Sequence, residues 1–408
     1  MSVFMKSSNN ATSWLFSFFK GDSSMCFFLM RLRILGVRGI CVALAILAAT
    51  AALWAQSDSR YVELLQPSLE QIMRELKLPG LAVGVVEDGR LAYSLGLGVM
   101  KLGEDRPVTP ETLFHMASIT KPFVATSIMQ LVERGKVDLD APVVRYLPYF
   151  KLHDPRYASI TVRQMVTHTS GMPDVEDYLW SKPEYDDGAL ERYVRTLVDR
   201  DLLWDPGSKF RYSNMAFEVL GDLVAKVSGV SFEDYVDTHI LRPLGMRSST
   251  LLIKKADQAR LAAGHTRGKD GVVRLIEHYP YNRAHTPSSN LHSNVVDMAR
   301  WAMANINRGE LNGHRIFKSS TYDVMWKPAV EAGGRGSVGI SWFLSDQNGQ
   351  QAVFHGGGDD GFLTYLILVP ARKTGVVVMS NCDCAPIGKI WQQALSVALR
   401  TDDKDRHP

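Results

Sequence analysis

The chain predicts an α+β fold: one antiparallel sheet built from both chain ends and flanked by helices, with a mostly helical region, about 136–310, inserted between the sheet segments. Three observations carry this. Strand-like runs occur at 81–97 and again after about residue 337, and a helical pattern with its turn signals fills the stretch between them. The 408 residues, 46% of them hydrophobic, can bury a full core. There is no internal repeat or long low-complexity tract to suggest a solenoid or a disordered scaffold.

The first 55 residues stand apart. They hold Lys6, Lys20, Arg31, Arg33 and Arg38 against Asp22, a net of +4, so a formal total of +3 leaves the body at −1. A near-neutral body has no electrostatic footprint for nucleic acid. Arg31, Arg33 and Arg38 precede an uncharged run at 39–57 whose centre is rich in alanine and leucine, with Ala55 as the small residue before a cut. This describes a secretory signal peptide over 30–55 and predicts a periplasmic or secreted protein. Such segments begin with their basic residues, so Met30 reads as the start and 1–29 as an upstream extension foreign to the native chain. The alternative is an uncleaved anchor, the only route to membrane contact. The apolar run is at the short edge of the roughly 17–25 residues that cross a bilayer.

From there the elements follow in order. Residues 61–78 carry Leu64, Leu65, Leu69, Ile72, Met73 and Leu76 at helical spacing, ended by Pro79-Gly80. Two strands, 81–87 and 91–97, flank Asp88-Gly89, a hairpin signal. A helix is expected from Ser118 to about Gly135. Shorter ones follow at 161–166 with Thr161 as cap, 216–228 stopped by Gly229, 232–240, and 295–306 capped by Asn294 or Ser293. Strands are expected at 338–344, 352–355, 362–368 and 375–381, then a helix at 386–399. Cys26 and Cys41 fall in the leader. Cys382 and Cys384 are one residue apart, poor spacing for a disulfide and too few ligands for a metal, and read as unpaired thiols.

Chemistry concentrates in three short motifs. Ser118-Ile119-Thr120-Lys121 puts an alcohol and an amine on one helical face, and a lysine in a dry site can take a serine's proton. Ser-x-x-Lys alone is weak, and a chance copy sits in the leader at Ser17 to Lys20. Tyr212-Ser213-Asn214, 94 residues after Ser118, offers a phenol for proton transfer and an amide to orient Lys121 and grip a substrate carbonyl. His355-Gly356-Gly357-Gly358 closes a strand-like run, and its glycines let backbone approach a ligand and aim an N–H at a developing oxyanion. A cleft between sheet and insert is the expected site.

In this order the motifs resemble those of the class C β-lactamase and penicillin-binding-protein-like serine hydrolases. The resemblance spans about 61–400. Beyond the motifs, the segment from Thr161 to Pro173 looks like the family's run into its HTSG loop, Pro243-Leu244-Gly245-Met246 like its PLGM segment, and Phe210 to Asn214 like its FxYSN stretch. The resemblance implies a β-lactamase-like fold and hydrolysis through an acyl-enzyme on Ser118, with Lys121 and Tyr212 transferring protons. It implies substrate binding by Asn214, His355, Gly356, Gly357 and Gly358, with the backbone N–H groups of Ser118 and Gly358 as oxyanion hole. No metal or organic cofactor is needed. The substrate would be a small molecule or short peptide bearing an ester, a D-amino-acid amide or a β-lactam. His355 stands where many members carry the lysine of a Lys-Thr-Gly strand, which weakens a dedicated β-lactamase reading.

Two decoys are set aside. Lys373-Thr374-Gly375 spells that triad but reads as a turn with an exposed lysine, and His168 reads as a loop histidine satisfying backbone groups. No His-Glu-x-x-His or Gly-x-Ser-x-Gly motif occurs. Alternatives of other classes are a catalytically silent cell-envelope binding protein on the same scaffold, or an acyl transferase or transpeptidase that uses acceptor amines.

Overall fold

The computed structural model describes residues 59–347 and 349–399. The expected signal peptide and upstream extension lie outside the described residues. Eight strands form the main sheet: β1 (Gly80–Glu87), β2 (Arg90–Gly98), β3 (Val330–Glu331), β4 (Ser337–Val338), β5 (Phe343–Gln347), β6 (Gln350–Asp359), β7 (Phe362–Val369) and β8 (Thr374–Ser380). They run antiparallel in the order β2-β1-β8-β7-β6-β5-β4-β3. The N-terminal hairpin joins the C-terminal strands through β1 and β8, with Leu81 opposite Ser380 and Glu87 opposite Thr374. Asp88 and Gly89 close that hairpin with positive φ at both residues, a two-residue turn whose twist matches the strands.

The helices used below are α1 (Gln66–Leu76), α2 (Lys121–Glu133), α3 (Val162–Val166), α4 (Asn214–Ser228), α5 (Thr286–Ser289), α6 (Val295–Ile306) and α7 (Ile387–Leu399). Alternation along the strands divides the apolar residues between two cores. Leu81, Val83, Val85, Ile367, Val376 and Val378 pack with α1 and α7. Ala82, Val86, Leu366, Leu368, Val377 and Met379 pack with α2, α4 and α6. Both faces are covered, so β1 and β8 read as continuous apolar runs rather than alternating ones. Each buried Val or Leu contributes about 1.5–3 kcal/mol.

Several expectations need correction. The helix at 61–78 is two pieces, Ser59–Leu64 and α1, because Pro67 in the first turn of α1 has no N–H to bond back to the preceding turn. The strand at 338–344 splits into β4 and β5. Ser341 takes φ 66°, and its N–H donates to Val166 O while that of Ile340 donates to Met325 O, drawing the chain out of the sheet toward the insert. The strand at 352–355 extends to Asp359, so Gly356, Gly357 and Gly358 lie inside β6 instead of after it, and His355 is no longer its end. The insert is helical with short two-stranded pieces, such as His265–Arg267 with Val273–Leu275. Cys382 and Cys384 are disulfide-bonded, not free: the turn at Asp383 brings their Cα atoms to 5.1 Å, within ordinary disulfide range. None of the described helices is long and apolar enough to cross a membrane.

Candidate active site

Ser118 sits not on an α-helix but in a 3₁₀ turn, Ala117–Thr120, that feeds into α2. In such a turn side chains three apart eclipse. Lys121 Nζ therefore lies 2.9 Å from Ser118 Oγ. Thr120 Oγ1 tightens the turn by donating to Ala117 O at 2.7 Å, and Pro122 tolerates the first turn of α2. Ala117 adopts φ 48°, a left-handed conformation that costs a non-glycine residue energy and is held by its surroundings. Met116 N donates to Leu291 O at 2.7 Å, and Met116 O accepts from Thr364 Oγ1 at 2.8 Å. The turn is thus pinned between the insert and β7.

The second wall is the end of β6. Pairing with β5 stops at Phe354, opposite Phe343, and from His355 to Asp359 the strand pairs with β7 alone. A Cβ on Gly357 would stand 2.3 Å from Met116 O and 2.4 Å from Thr364 Oγ1. Only glycine lets the strand come this close to the serine turn.

The third wall is the loop before α4. Thr161 and Gln164 form a capping box on α3, the helix that leads into Thr167 to Pro173. His168 stacks on Tyr212 with ring centroids 4.3 Å apart, and its Nδ1 accepts from Ser213 N–H at 3.2 Å. Burial pushes His168 well below its ordinary pKa, so it is a neutral backing for the Tyr212 ring. Lys121 Nζ lies 5.0 Å from that ring's centroid.

Electrostatics follow from burial. Lys121 is 0% exposed, which lowers its amine to about 8, although Glu218, Asp359 and Asp174 pull the other way. Burial raises the Tyr212 phenol well above its usual value, with hydrogen bonding to Ser118 opposing. His355 falls to about 3 through burial and then the Lys121 charge. Its Nδ1–H donates to Gly356 O at 2.7 Å, and Nε2 is buried with no partner among the described residues. Near neutral pH the site holds a neutral imidazole, a neutral phenol and an amine close to its titration point.

Ser118, Tyr212, His355, Gly356, Gly357 and Gly358 line one cavity of about 860 Å³. Phe210, Phe343, Phe354, Leu363, Tyr365 and Ile387 supply apolar wall, and Asp174, Arg211 and Arg335 also line the cavity. Lys373, in the decoy triad, sits in an exposed turn before β8 and does not line it.

Asn214 departs from expectation. Its N–H and its Nδ2 both donate to Asp174 Oδ1, at 2.8 and 2.9 Å. The second hydrogen-bond partner of Lys121 is Ser288 O, at 2.8 Å, so that carbonyl, not Asn214, orients the lysine. A carboxylate holds an amide donor more strongly than a neutral acceptor does. Asn214 is also absent from the cavity lining. Sequence reasoning missed Asp174 and Ser288. Asp174 had a signal, following the Thr167 to Pro173 run; Ser288 had none, because it acts through its backbone. No group of side chains suited to hold a metal occurs among the described residues.

The beta-lactamase family model matches residues 65–393. Protein flp of Staphylococcus aureus (strain MW2) is 25% identical over 328 residues, covering 79% of this chain and 63% of that protein. Esterase EstB of Burkholderia gladioli is 34% identical over 223 residues, covering 52% of this chain and 56% of that protein. The chain thus spans less than two thirds of these curated relatives. Among solved structures, the octameric penicillin-binding protein homologue from Pyrococcus abyssi superposes with a TM-score of 0.74 at 29% identity, over 82% of this chain and 76% of that one.

Proposed function

This chain belongs to the beta-lactamase family and has its α+β fold, and we propose that it is a serine hydrolase working through an acyl-enzyme on Ser118. The observation that carries the reading is a fully buried amine 2.9 Å from a serine hydroxyl that faces a cavity. Neutral Lys121 takes the Ser118 proton as Oγ bonds to the acyl carbon and the carbonyl electron pair moves onto oxygen. The backbone N–H groups of Ser118 and Gly358 steady that oxyanion. Collapse expels the leaving group, which takes the proton back from Lys121 directly or by way of the Tyr212 phenol. Water then attacks the ester by the same route, and Ser118 regains its proton.

Within the range of ester, D-amino-acid peptide and β-lactam, esters are favoured. Phe210, Phe343, Phe354 and Tyr365 give the cavity an aromatic wall, and His355 is neutral where a lysine would hold a substrate carboxylate. Likeness to an esterase points the same way. A fluorophosphonate should label Ser118, and Ser118→Ala should abolish nitrophenyl ester turnover. Labelling mapped to another serine, or turnover surviving in the variant, rejects the proposal. Absence of both activities in folded protein favours a silent binding protein. We also propose export to the periplasm or beyond, which the Cys382–Cys384 disulfide supports. Sequencing the mature N-terminus checks it, with a start near residue 56 expected.

A further inference from the structure

Lys121 has a second neighbourhood besides Ser118. The Ser288 carbonyl that holds it belongs to a residue whose hydroxyl donates to Glu218 Oε1 at 2.5 Å. His285 Nδ1 lies 3.2 Å from the same oxygen. Glu218 is buried on α4, and its Oε2 has no hydrogen-bond partner among the described residues. Gly221, one turn along the same face of α4, makes the arrangement possible: a Cβ there would stand 2.1 Å from Pro287 Cγ. Without it α5 could not lie against α4, and Ser288 would not reach Glu218.

A carboxylate buried this deeply is unfavourable unless something opposite in charge faces it. Among the charges acting on Lys121 to retain its proton, Glu218 is the largest, ahead of Asp359 and Asp174. The other titratable groups near the amine are Tyr212, His168 and His355, all neutral through burial. Around Glu218 stand His285 and the phenols of Tyr178 and Tyr193, which pack edge-on against the His285 ring and are themselves kept neutral by burial. None of the mechanism above uses Glu218.

We propose that Glu218 is a positioning residue: through Ser288 it fixes the carbonyl that aims Lys121, and through its buried charge it decides at what pH the amine is free to accept the Ser118 proton. The inference rests on the reading of Ser118 as nucleophile and Lys121 as its base. It explains how a lysine with no exposed surface keeps its proton up to about pH 8 instead of losing it to burial outright.

The test is the rate of Ser118 labelling by a fluorophosphonate in the full chain, followed from pH 5 to 10. Wild type should rise to a plateau with a midpoint near 8. Glu218→Gln keeps the shape and removes the charge, so the midpoint should fall by about half a unit or more while the plateau drops. Glu218→Leu should shift it likewise. It remains a foldable second choice because Ser288 Oγ has the His285 carbonyl at 3.3 Å as another acceptor. Glu218→Asp, with charge kept and reach shortened, should hold the midpoint and lose plateau rate. A merely structural Glu218 would lower the plateau with the midpoint unmoved, and that result in Glu218→Gln or Glu218→Leu overturns the proposal. If wild type does not label at Ser118 at any pH, the nucleophile assignment fails first, and the role of Glu218 goes with it.

Discussion

At the scale of one residue, the proposed chemistry turns on Lys121. Its amine is lowered from 10.5 to about 8 because the charged form is buried. That shift has two opposite consequences. For activity, the neutral base appears as pH rises, so kcat/KM for a nitrophenyl ester should climb through about pH 8. For stability, the folded state penalises the charged form, so the penalty is full below about pH 8 and is relieved between 8 and 10.5. It amounts to about 3 kcal/mol at 1.36 kcal/mol per unit. Lys121→Met should therefore lose at least about 10³-fold in turnover yet remain folded at pH 7. Its stability relative to wild type should decline from pH 8 to 10.5 in parallel denaturant titrations; a constant difference across that window would show that the amine is not buried charged. Ser118, Lys121, Tyr212 and His355 were legible as residue types in a given order. Ser288 was not, since any residue supplies a carbonyl. Glu218 had a faint signal, an acid inside the apolar run of α4.

At the scale of elements, the site is made by the approach of β6 to the serine turn. Gly357 is the tightest point: a methyl there meets backbone oxygen at 2.3 Å, and backbone yields less readily than a side chain. Gly356 differs, since its methyl would meet the Tyr365 ring at 3.3 Å and backbone no nearer than Thr364 O at 3.9 Å. Gly357→Ala should cost about 1–3 kcal/mol and most of the activity, with Gly356→Ala milder on both counts. Urea unfolding and ester turnover of the two variants decide it, and equal effects would mean that the strand's distance from the turn is not what the glycines secure. The sequence marked these glycines as permissive but could not say which was indispensable, because that depends on Met116 and Thr364, far away along the chain. It also placed His355 at a strand's end. Period-two patterning stops where side chains vanish, whereas the ladder to β7 continues through Gly356, Gly357 and Gly358.

Across the whole molecule the sheet divides its apolar residues between two cores, and Phe354, Tyr365 and Ile387 connect the smaller one to the cavity wall. The core under α1 and α7 lies on the face opposite the larger core that packs α2 and α4. Ile390, buried on α7, belongs to the former. Ile390→Ala should cost about 2–4 kcal/mol while leaving kcat/KM of the folded fraction within about threefold of wild type. A selective loss of turnover with stability intact would contradict this expectation. The α+β class, a sheet from both termini, the cap on α3 and the Ser-Lys-Tyr set were determined by sequence alone, because local periodicity, caps and motif chemistry act over a few residues. Tertiary structure alone decided the split of the 338–344 strand, the Cys382–Cys384 bond, the pairing of Asn214 with Asp174 and the chain from Lys121 through Ser288 to Glu218. Each depends on which distant backbone groups meet once apolar surface is buried, and no local pattern encodes that.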